Sequence, residues 1–450
     1  MATRLRVPPR AEWLVSVDIL DETMGELQTN PMLRMMLKTP KTPKTRYDVS
    51  PWLDGVPKSR RPSYPRLRGH HDAEVVIVGG GLVGCLTAHA LASAGISVVL
   101  LEAAAVGEAT TAHGPGLALL EPQVGLPQAV RAHGTRTANR LWQSGRRGGQ
   151  NLAASLERLG VRCELTKTDL LEVALDVNHE RELGRALEAR TVAGLPVTRL
   201  TARALRERTG LVAAGALKVP GNLTLDPYKA CIGVARDAVR RGARVFQGSR
   251  ARRITSTRHV VEVRTGHGAV EAETIVIATG TLPAFFEPLR RHLAPMETYG
   301  VMTAVLPPTV RRELGRRDAV IRDSMSPPRY LRWTRDHRVL VTGADQPPVA
   351  RSRRPKTLAQ RTGQLMYELS TLYPAISGVE PAYGWSASYD RTKDELPIVG
   401  PHRSYPRHLF ALGLAHGGLG LAFLASRILV RACQGESAED DDVFGFGRLR

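Results

Sequence analysis

The stretch from residue 74 to residue 102 constrains this chain most. Glu74-Val-Val-Ile-Val78 supplies a short apolar, β-branched run, the signature of a strand buried on both faces. Gly79, Gly81 and Gly84 follow at once as G-x-G-x-x-G. The first glycine permits a tight turn, the second lets backbone approach a pyrophosphate, and the third lets a helix sit close to the strand. Leu82 to Ala94 runs on without proline or charge, so the spacing predicts a helix whose N-terminal N–H groups and dipole receive phosphate oxygens. Gly95 ends that helix, and Ser97 to Leu101 predicts a second buried strand. Glu102 stands 23 positions after Gly79, where a carboxylate reaches ribose hydroxyls. The glycines alone are weak evidence. Strand, helix, strand and terminal acid in register point to a bound dinucleotide, against the plain alternative of a glycine-rich turn that binds nothing.

The 450 residues suggest roughly two or three domains, with ample room for a packed core. Hydrophobic content of 42% and charged content of 24% are ordinary for a globular chain, whereas the net charge of +20 is not. Such a balance suits nucleic acid, anionic lipid or acidic substrates. The basic residues are mostly arginines spread along the whole sequence, which favours a solvated basic surface. Cys85, Cys163, Cys231 and Cys433 lie far apart with no C-x-x-C pair, so they read as reduced thiols rather than a disulfide or metal framework. The first residues lack a signal peptide's basic start and continuous apolar core, and with the cysteines this reads as cytoplasmic. Leu409 to Ser426 is long enough to raise a membrane span. Gly413, Gly417, Gly418 and Gly420 crowd its middle, so we expect a strand, a glycine turn and a helix, and no membrane span.

Residues 1–70 form a distinct part. The tandem repeat Lys38-Thr-Pro-Lys-Thr-Pro-Lys-Thr-Arg46 and the following arginines and prolines predict a basic, Pro-rich arm, with Trp52 and Tyr64 anchoring it to the main domain. Helical patterns run through about 127–159, Gly160 stops them, and Val161 to Leu165 predicts a strand. Asp226-Pro227 starts a helix with the acid as N-cap, and Gly242 ends it. Val245 to Ile254, His259 to Arg264 and Glu273 to Ala278 predict strands, the last ending in Ala278-Thr279-Gly280. Val301 to Leu306, Tyr330 to Thr334 and Val339 to Gly343 alternate like antiparallel sheet, and Thr357 to Leu372 is an amphipathic helix. The expected architecture is α/β: a Rossmann-like cofactor domain, a parallel sheet with ββα layers, built from 71–145, 220–290 and 380–436. An inserted substrate lobe with a large, mostly antiparallel sheet takes 146–219 and 291–379, and 437–450 is a tail.

Taken in order, these motifs resemble the family of FAD-dependent oxidoreductases typified by D-amino-acid, glycine and sarcosine oxidases, and its γ-glutamylputrescine oxidoreductase-like branch in particular. Four motifs carry the resemblance: the G-x-G-x-x-G with Glu102, the Gly107-x-Ala-Thr-Thr111 loop, Ala278-Thr279-Gly280, and a closing run. That run is Thr392-x-Asp394-x-x-Pro397-x-x-Gly400, His408-Leu-Phe-Ala-Leu-Gly413 and His416-Gly-Gly-x-Gly420. The resemblance implies FAD contacts from Gly79, Gly81, Leu82, Val83, Gly84, Glu102, Ala103, Ala109, Thr110, Thr111, Ala251, Ala278, Thr279, Gly280, Gly400, His416, Gly417, Gly418, Leu419 and Gly420. Backbone N–H groups at 417–420 and the helix dipole would stabilise negative charge on the reduced flavin ring. His416 reads as a structural residue of that turn. The loop departs from the family at Ala112-His113-Gly114-Pro115-Gly116, which leaves His113 either facing the flavin or packed. No cysteine stands at an obvious attachment position, so FAD is expected to be non-covalent.

The resemblance further implies oxidation of a C–N bond in an amine or amino acid, with hydride passing to flavin N5, an imine that hydrolyses, and reoxidation by oxygen or a quinone. A substrate carboxylate would call for an arginine fork. Tyr330-x-Arg332 sits on the matching strand, with Arg329 as its competitor and Tyr299 as a further pocket candidate. Lys393 lies in the closing motif, where loop exposure explains it equally well. Three other readings stand beside this one: a flavin enzyme acting on a modified tRNA base, an NAD-dependent dehydrogenase, and a flavin fold serving as a non-catalytic binding subunit. Neither the amine, the acceptor nor the oligomeric state can be read from the residues.

Overall fold

Val75 to Val78 is apolar at every position because its strand is covered on both sides. In the computed structural model, which describes residues 44–414 and 418–449, Val75 and Ile77 enter one core and Val76 and Val78 another. The strand Gly69–Val78 pairs in parallel with Val98–Leu101 on one side and with Gly268–Ile277 on the other. Tyr405–Leu412 joins Gly268–Ile277 in parallel, and Arg244–Phe246 extends the opposite edge. Among the described residues this sheet holds eight strands. Helices Leu82–Ser93, Pro227–Arg240 and Leu419–Cys433 pack on one face. The antiparallel strands Arg253–Ser256 and Val261–Arg264 cover the other. The sequence Val161 to Leu165, expected as a strand, is instead irregular, and strand geometry begins at Thr166. Val245 to Ile254 breaks into two short strands.

The helix Pro227–Arg240 starts as its residues require: the Asp226 side chain accepts from Lys229 N at 2.9 Å, and Pro227 occupies the first position. Near its end Asp237 ties it to Leu82–Ser93, with His89 Nε2 at 2.9 Å and Arg241 Nε at 2.8 Å, and Arg240 as a further partner. Burial alone would raise the Asp237 carboxyl, but Arg240 and Arg241 outweigh it and hold it at about 2. A carboxyl depressed on folding stabilises fully above the ordinary carboxylate range of about 4, and that contribution fades as pH falls toward 2. Thermal melts of Asp237→Asn should therefore lie below the parent at pH 6, with the gap closing on acidification to pH 2.5. A gap of constant width would contradict this.

Ten strands, counted among the described residues, make the second sheet, which is mostly antiparallel. Pro381–Thr392, Leu293–Thr303, Val339–Gln346, Tyr330–Trp333, Ala319–Asp323, Thr166–Ala174 and Gly215–Thr224 follow one another across it. The helix Arg354–Leu372 closes one face with Leu358, Leu365 and Leu369. A single register row on the opposite face runs Trp385, Gly300, Thr342, Tyr330, Arg322 and Glu172. Gly300 is required there, since a Cβ would meet the Trp385 indole at 2.3 Å. Pro381–Thr392 thus belongs to this sheet although residues after 380 were expected in the cofactor domain, and Thr135–Arg158 packs on Leu419–Cys433. The repeat before Lys44 lies outside the described residues, while Thr45–Arg450 forms one compact unit. In that unit Trp52 is buried and Tyr64 packs on the first core, as expected of anchors. Leu409 to Ser426 holds the end of the strand Tyr405–Leu412 and the start of the helix Leu419–Cys433, and no helix among the described residues is long and apolar enough to cross a membrane.

Candidate cofactor and active site

The turn after Val78 is shaped by contacts that leave no room for side chains. Gly79 has φ +115°, and a Cβ on it would lie 2.3 Å from Ala278 O. A Cβ on Gly84 would lie 2.0 Å from Gly79 O, so the helix seats directly on the turn. Glu102 is buried, with Oε2 accepting from Gly80 N at 2.7 Å and Oε1 from Ala104 N at 2.8 Å. Each oxygen keeps a second acceptor site, so the carboxylate is oriented without being saturated. The helix Leu82–Ser93 has no side-chain cap at Gly81, and only Leu82 N finds a side-chain acceptor, Thr111 Oγ1 at 3.1 Å. Its first turn therefore presents backbone donors and a positive dipole end.

One continuous cavity begins at this turn and ends at another uncapped helix start. Gly79, Gly81, Leu82, Val83 and Glu102 border it near the first turn, and Gly418 and Leu419 at the far end. Ala109, Thr110, Thr111, Ala278, Thr279 and Gly280 flank its length, and Thr298, Ala387 and Tyr389 of the large sheet form the opposing wall. Gly418 is the N-cap of Leu419–Cys433 and makes no side-chain cap bond. His416 and Gly417, both expected at this turn, lie outside the described residues.

The wall at 112–116 is held from behind with unusual completeness. Ser50 Oγ donates to Ala112 O, Trp385 Nε1 to His113 O at 2.9 Å, and Trp52 Nε1 to Gly114 O at 2.9 Å. Arg332 Nη1 is shared among Pro115 O at 3.1 Å, Gly116 O at 2.8 Å and Leu225 O at 2.9 Å. Five successive carbonyls are thus satisfied by side chains from three distant segments. The loop can present its other side to the cavity without fraying. His113 borders the cavity, its Nδ1 within 2.8 Å of Ala109 O.

Several expected contacts fall elsewhere. Arg332 points to the back of the loop rather than into the cavity, because its guanidinium completes those backbone carbonyls. Burial lowers it to about 10, with Asp226 and Glu164 pulling the other way. Tyr299 belongs to the opposite face of its strand, since side chains alternate, and it is Thr298 that meets the cavity. The Tyr299 hydroxyl donates to Glu297 Oε2 at 3.2 Å and accepts from Gln346 Nε2 at 2.8 Å. Tyr330 shares the cavity-side face but packs with Leu117, Leu119 and Val320 beneath the lining. Arg329 is committed to Asp323 and Glu368. Gly84 and Gly420 serve close packing instead of lining: Gly420 lets the last helix touch Gly149, 3.1 Å from where its Cβ would stand. Ala251 packs in the core on the far side of the parallel sheet, Gly400 sits on an edge strand, and neither they nor Ala103 border the cavity.

Residues not anticipated include Thr298, Ala387, Tyr389, Leu117 and Pro227. Burial, then the negative charge of Asp345, to which its hydroxyl donates a hydrogen bond, push Tyr389 above the ordinary phenol range. Also unforeseen is the buried cluster in which Arg190 bonds Glu121 at 2.8 Å and Glu172 at 2.9 Å, with Arg322 3.1 Å from Glu172. Neither has a local sequence signal, because each depends on strand register.

A family model described as FAD dependent oxidoreductase matches residues 74–432. The chain belongs to this family of FAD-dependent oxidoreductases. Among curated relatives, the probable oxidoreductase OrdL of Haemophilus influenzae is 25% identical over 391 residues, 83% of this chain and 85% of that protein. The γ-glutamylputrescine oxidoreductase of Escherichia coli is 26% identical over 385 residues, 82% and 85% respectively. In structure, glycine oxidase from Geobacillus kaustophilus superposes with a TM-score of 0.68 at 21% identity, covering 83% of this chain and 98% of that one. L-amino acid deaminase from Proteus myxofaciens gives 0.70 at 17% identity, covering 90% and 100%. The cavity fits the family's cofactor on its own geometry. A long two-ended molecule finds a side-chain-free turn with an oriented carboxylate at one end and a second backbone donor cluster at the other.

Proposed function

We propose that this enzyme oxidises the C–N bond of an amine or amino acid to an imine that hydrolyses. The single observation carrying this reading is the continuous cavity that joins the Gly79–Gly84 turn to the Gly418 helix start beneath a wall of Thr298, Ala387 and Tyr389. FAD, when bound, would supply a two-electron acceptor for the hydride leaving the substrate α-carbon, its electrons then passing with protons to oxygen or a quinone. The remaining tasks fall to the chain. Glu102 and the first turn of Leu82–Ser93 hold the ribose and diphosphate, and Gly418, Leu419 and the dipole behind them favour negative charge at the far end. The largely apolar wall of the large sheet excludes water, with the Tyr389 ring fixed by its bond to Asp345. None of the four cysteines borders the cavity, so none of them is placed to attach the flavin.

Between the two substrate classes, the arginines favour an amine without an α-carboxylate. None of Arg332, Arg329 and Arg322 borders the cavity, and their bonds run instead to backbone carbonyls, to Asp323 and Glu368, and to Glu172 and Gln123 O, so none of these three offers a fork there. The relative named γ-glutamylputrescine oxidoreductase agrees with this preference. Anaerobic mixing of the FAD-loaded protein with polyamines, N-alkylamines, N-methyl and D-amino acids is the test. Primary or secondary amines should bleach the flavin faster than amino acids. Bleaching by none of them would end the proposal, and bleaching by amino acids alone would reverse the preference.

A further inference from the structure

Residues 45–61 take no place in the parallel sheet, yet their side chains converge on the loop that borders the cofactor cavity. Arg46–Tyr47 pairs in parallel with Tyr383 and Gly384 at the edge of the large sheet. Asp48 N donates to Gly384 O at 2.9 Å, and Thr45 Oγ1 to Pro381 O at 2.9 Å. Asp48 then turns with φ +56°, and the chain enters the short helix Pro51–Asp54. Asp54 pairs with Arg46 and accepts from the Tyr383 hydroxyl at 2.7 Å, closing the segment on itself and on the sheet.

Ser50 is fully buried, and its hydroxyl works in both directions. It accepts from Trp52 N at 3.3 Å, which caps the helix, and it donates to Ala112 O. The capped helix carries the Trp52 indole, whose N–H reaches Gly114 O at 2.9 Å. The same ring lies 5.2 Å from the guanidinium carbon of Arg332, which holds Pro115 O and Gly116 O. Arg61 grips the start of the loop. It donates to Leu53 O at 2.6 Å and Val56 O at 3.0 Å, and it pairs with Glu108 at 3.3 Å. Every residue of 109–116 except Ala112 borders the cavity, so this stretch is held from behind near both ends.

We propose that residues 45–61 form a clasp on the cofactor, with Ser50 and Trp52 as positioning residues that act through the loop backbone. A loop of small residues loses much conformational freedom on ordering. Carbonyls anchored from behind meet part of that cost before FAD arrives, so the clasped loop holds FAD more tightly. Linkage requires the reverse as well: bound FAD keeps the clasp closed by the same factor. The outer end of the clasp rests on two paired residues and a half-exposed ion pair, so it opens locally well before the whole chain unfolds. The inference rests on the cavity being the place of FAD, on which the FAD affinity of Gly84→Ala bears separately.

Two substitutions in the full-length, FAD-loaded protein test the clasp. Trp52→Phe keeps a ring beside Arg332 but removes the donor to Gly114 O, and Ser50→Ala removes the donor to Ala112 O. On dilution each should release FAD about three- to tenfold faster than the parent, the scale of one net hydrogen bond. Lys58→Gln, which changes an exposed side chain of the same segment, should match the parent. A purely architectural role would lower the melting temperatures of the FAD-free and FAD-loaded forms alike and leave release unchanged. Trypsin cleavage of the Arg46–Tyr47 bond, identified by mass, reads the opposite direction of the linkage without any substitution. Saturating FAD should slow that cut several-fold in the parent, and by less in Trp52→Phe. Parent-like release in both variants, or a cut that FAD does not slow, overturns the clasp. If Gly84→Ala has meanwhile lost FAD affinity, the cofactor's place stands and the clasp alone falls; if it has not, both fall.

Discussion

Gly84→Ala is expected to purify colourless. The methyl group would stand 2.0 Å from Gly79 O and 3.2 Å from Gly79 C, both of them backbone atoms that cannot rotate away. Either the helix Leu82–Ser93 lifts from the strand or the turn deforms, and each moves the donors that hold the diphosphate. Overpacking of this kind costs about 1–3 kcal/mol before any ligand is considered. Displacing several charge-assisted donors should weaken FAD by roughly a hundredfold or more, equivalent to about 2.7 kcal/mol. Titrating the apoprotein with FAD measures it directly. Gly184→Ala makes the control, since a Cβ there meets nothing within 4 Å and alanine is the better helix former. A Gly84→Ala protein that retains the parent's FAD affinity would refute the assignment of this turn.

Arg332→Met should destabilise both the fold and cofactor binding while leaving substrate recognition almost untouched. The substitution keeps the apolar stem but strands Pro115 O and Leu225 O without their side-chain donor and leaves Gly116 O only the Leu225 N–H. Each buried carbonyl left unsatisfied costs about 1–3 kcal/mol, so a total near 3 kcal/mol or above is expected. The melting temperature should fall by several degrees, and FAD affinity should drop as the loop loosens. With FAD saturating, KM for the best amine should change by less than about twofold. A substrate-binding fork at Arg332 predicts the reverse pattern: intact FAD affinity with a sharply raised KM. Arg332→Lys should rescue poorly, because one ammonium cannot reproduce the planar geometry that serves three acceptors.

Local sequence determined the parts of this protein that are built by neighbours along the chain. The buried strand, the Gly79–Gly84 turn, Glu102, the Asp226–Pro227 helix start and the helix start at Gly418 and Leu419 each depend on residues within one supersecondary unit. Their spacing therefore carries the geometry. The family followed from the same runs. Only the tertiary structure decided which side chains of the large sheet reach the cavity. A shift of one position exchanges the faces of a strand, which is why Thr298 lines the wall where Tyr299 was expected. The tertiary structure likewise decided the partner of Arg332, because the carbonyls it holds lie 216 and 217 positions away in sequence. Periodicity reports burial and local form; it holds no record of which distant backbone a long, many-donor side chain will satisfy once the two sheets have closed on one another.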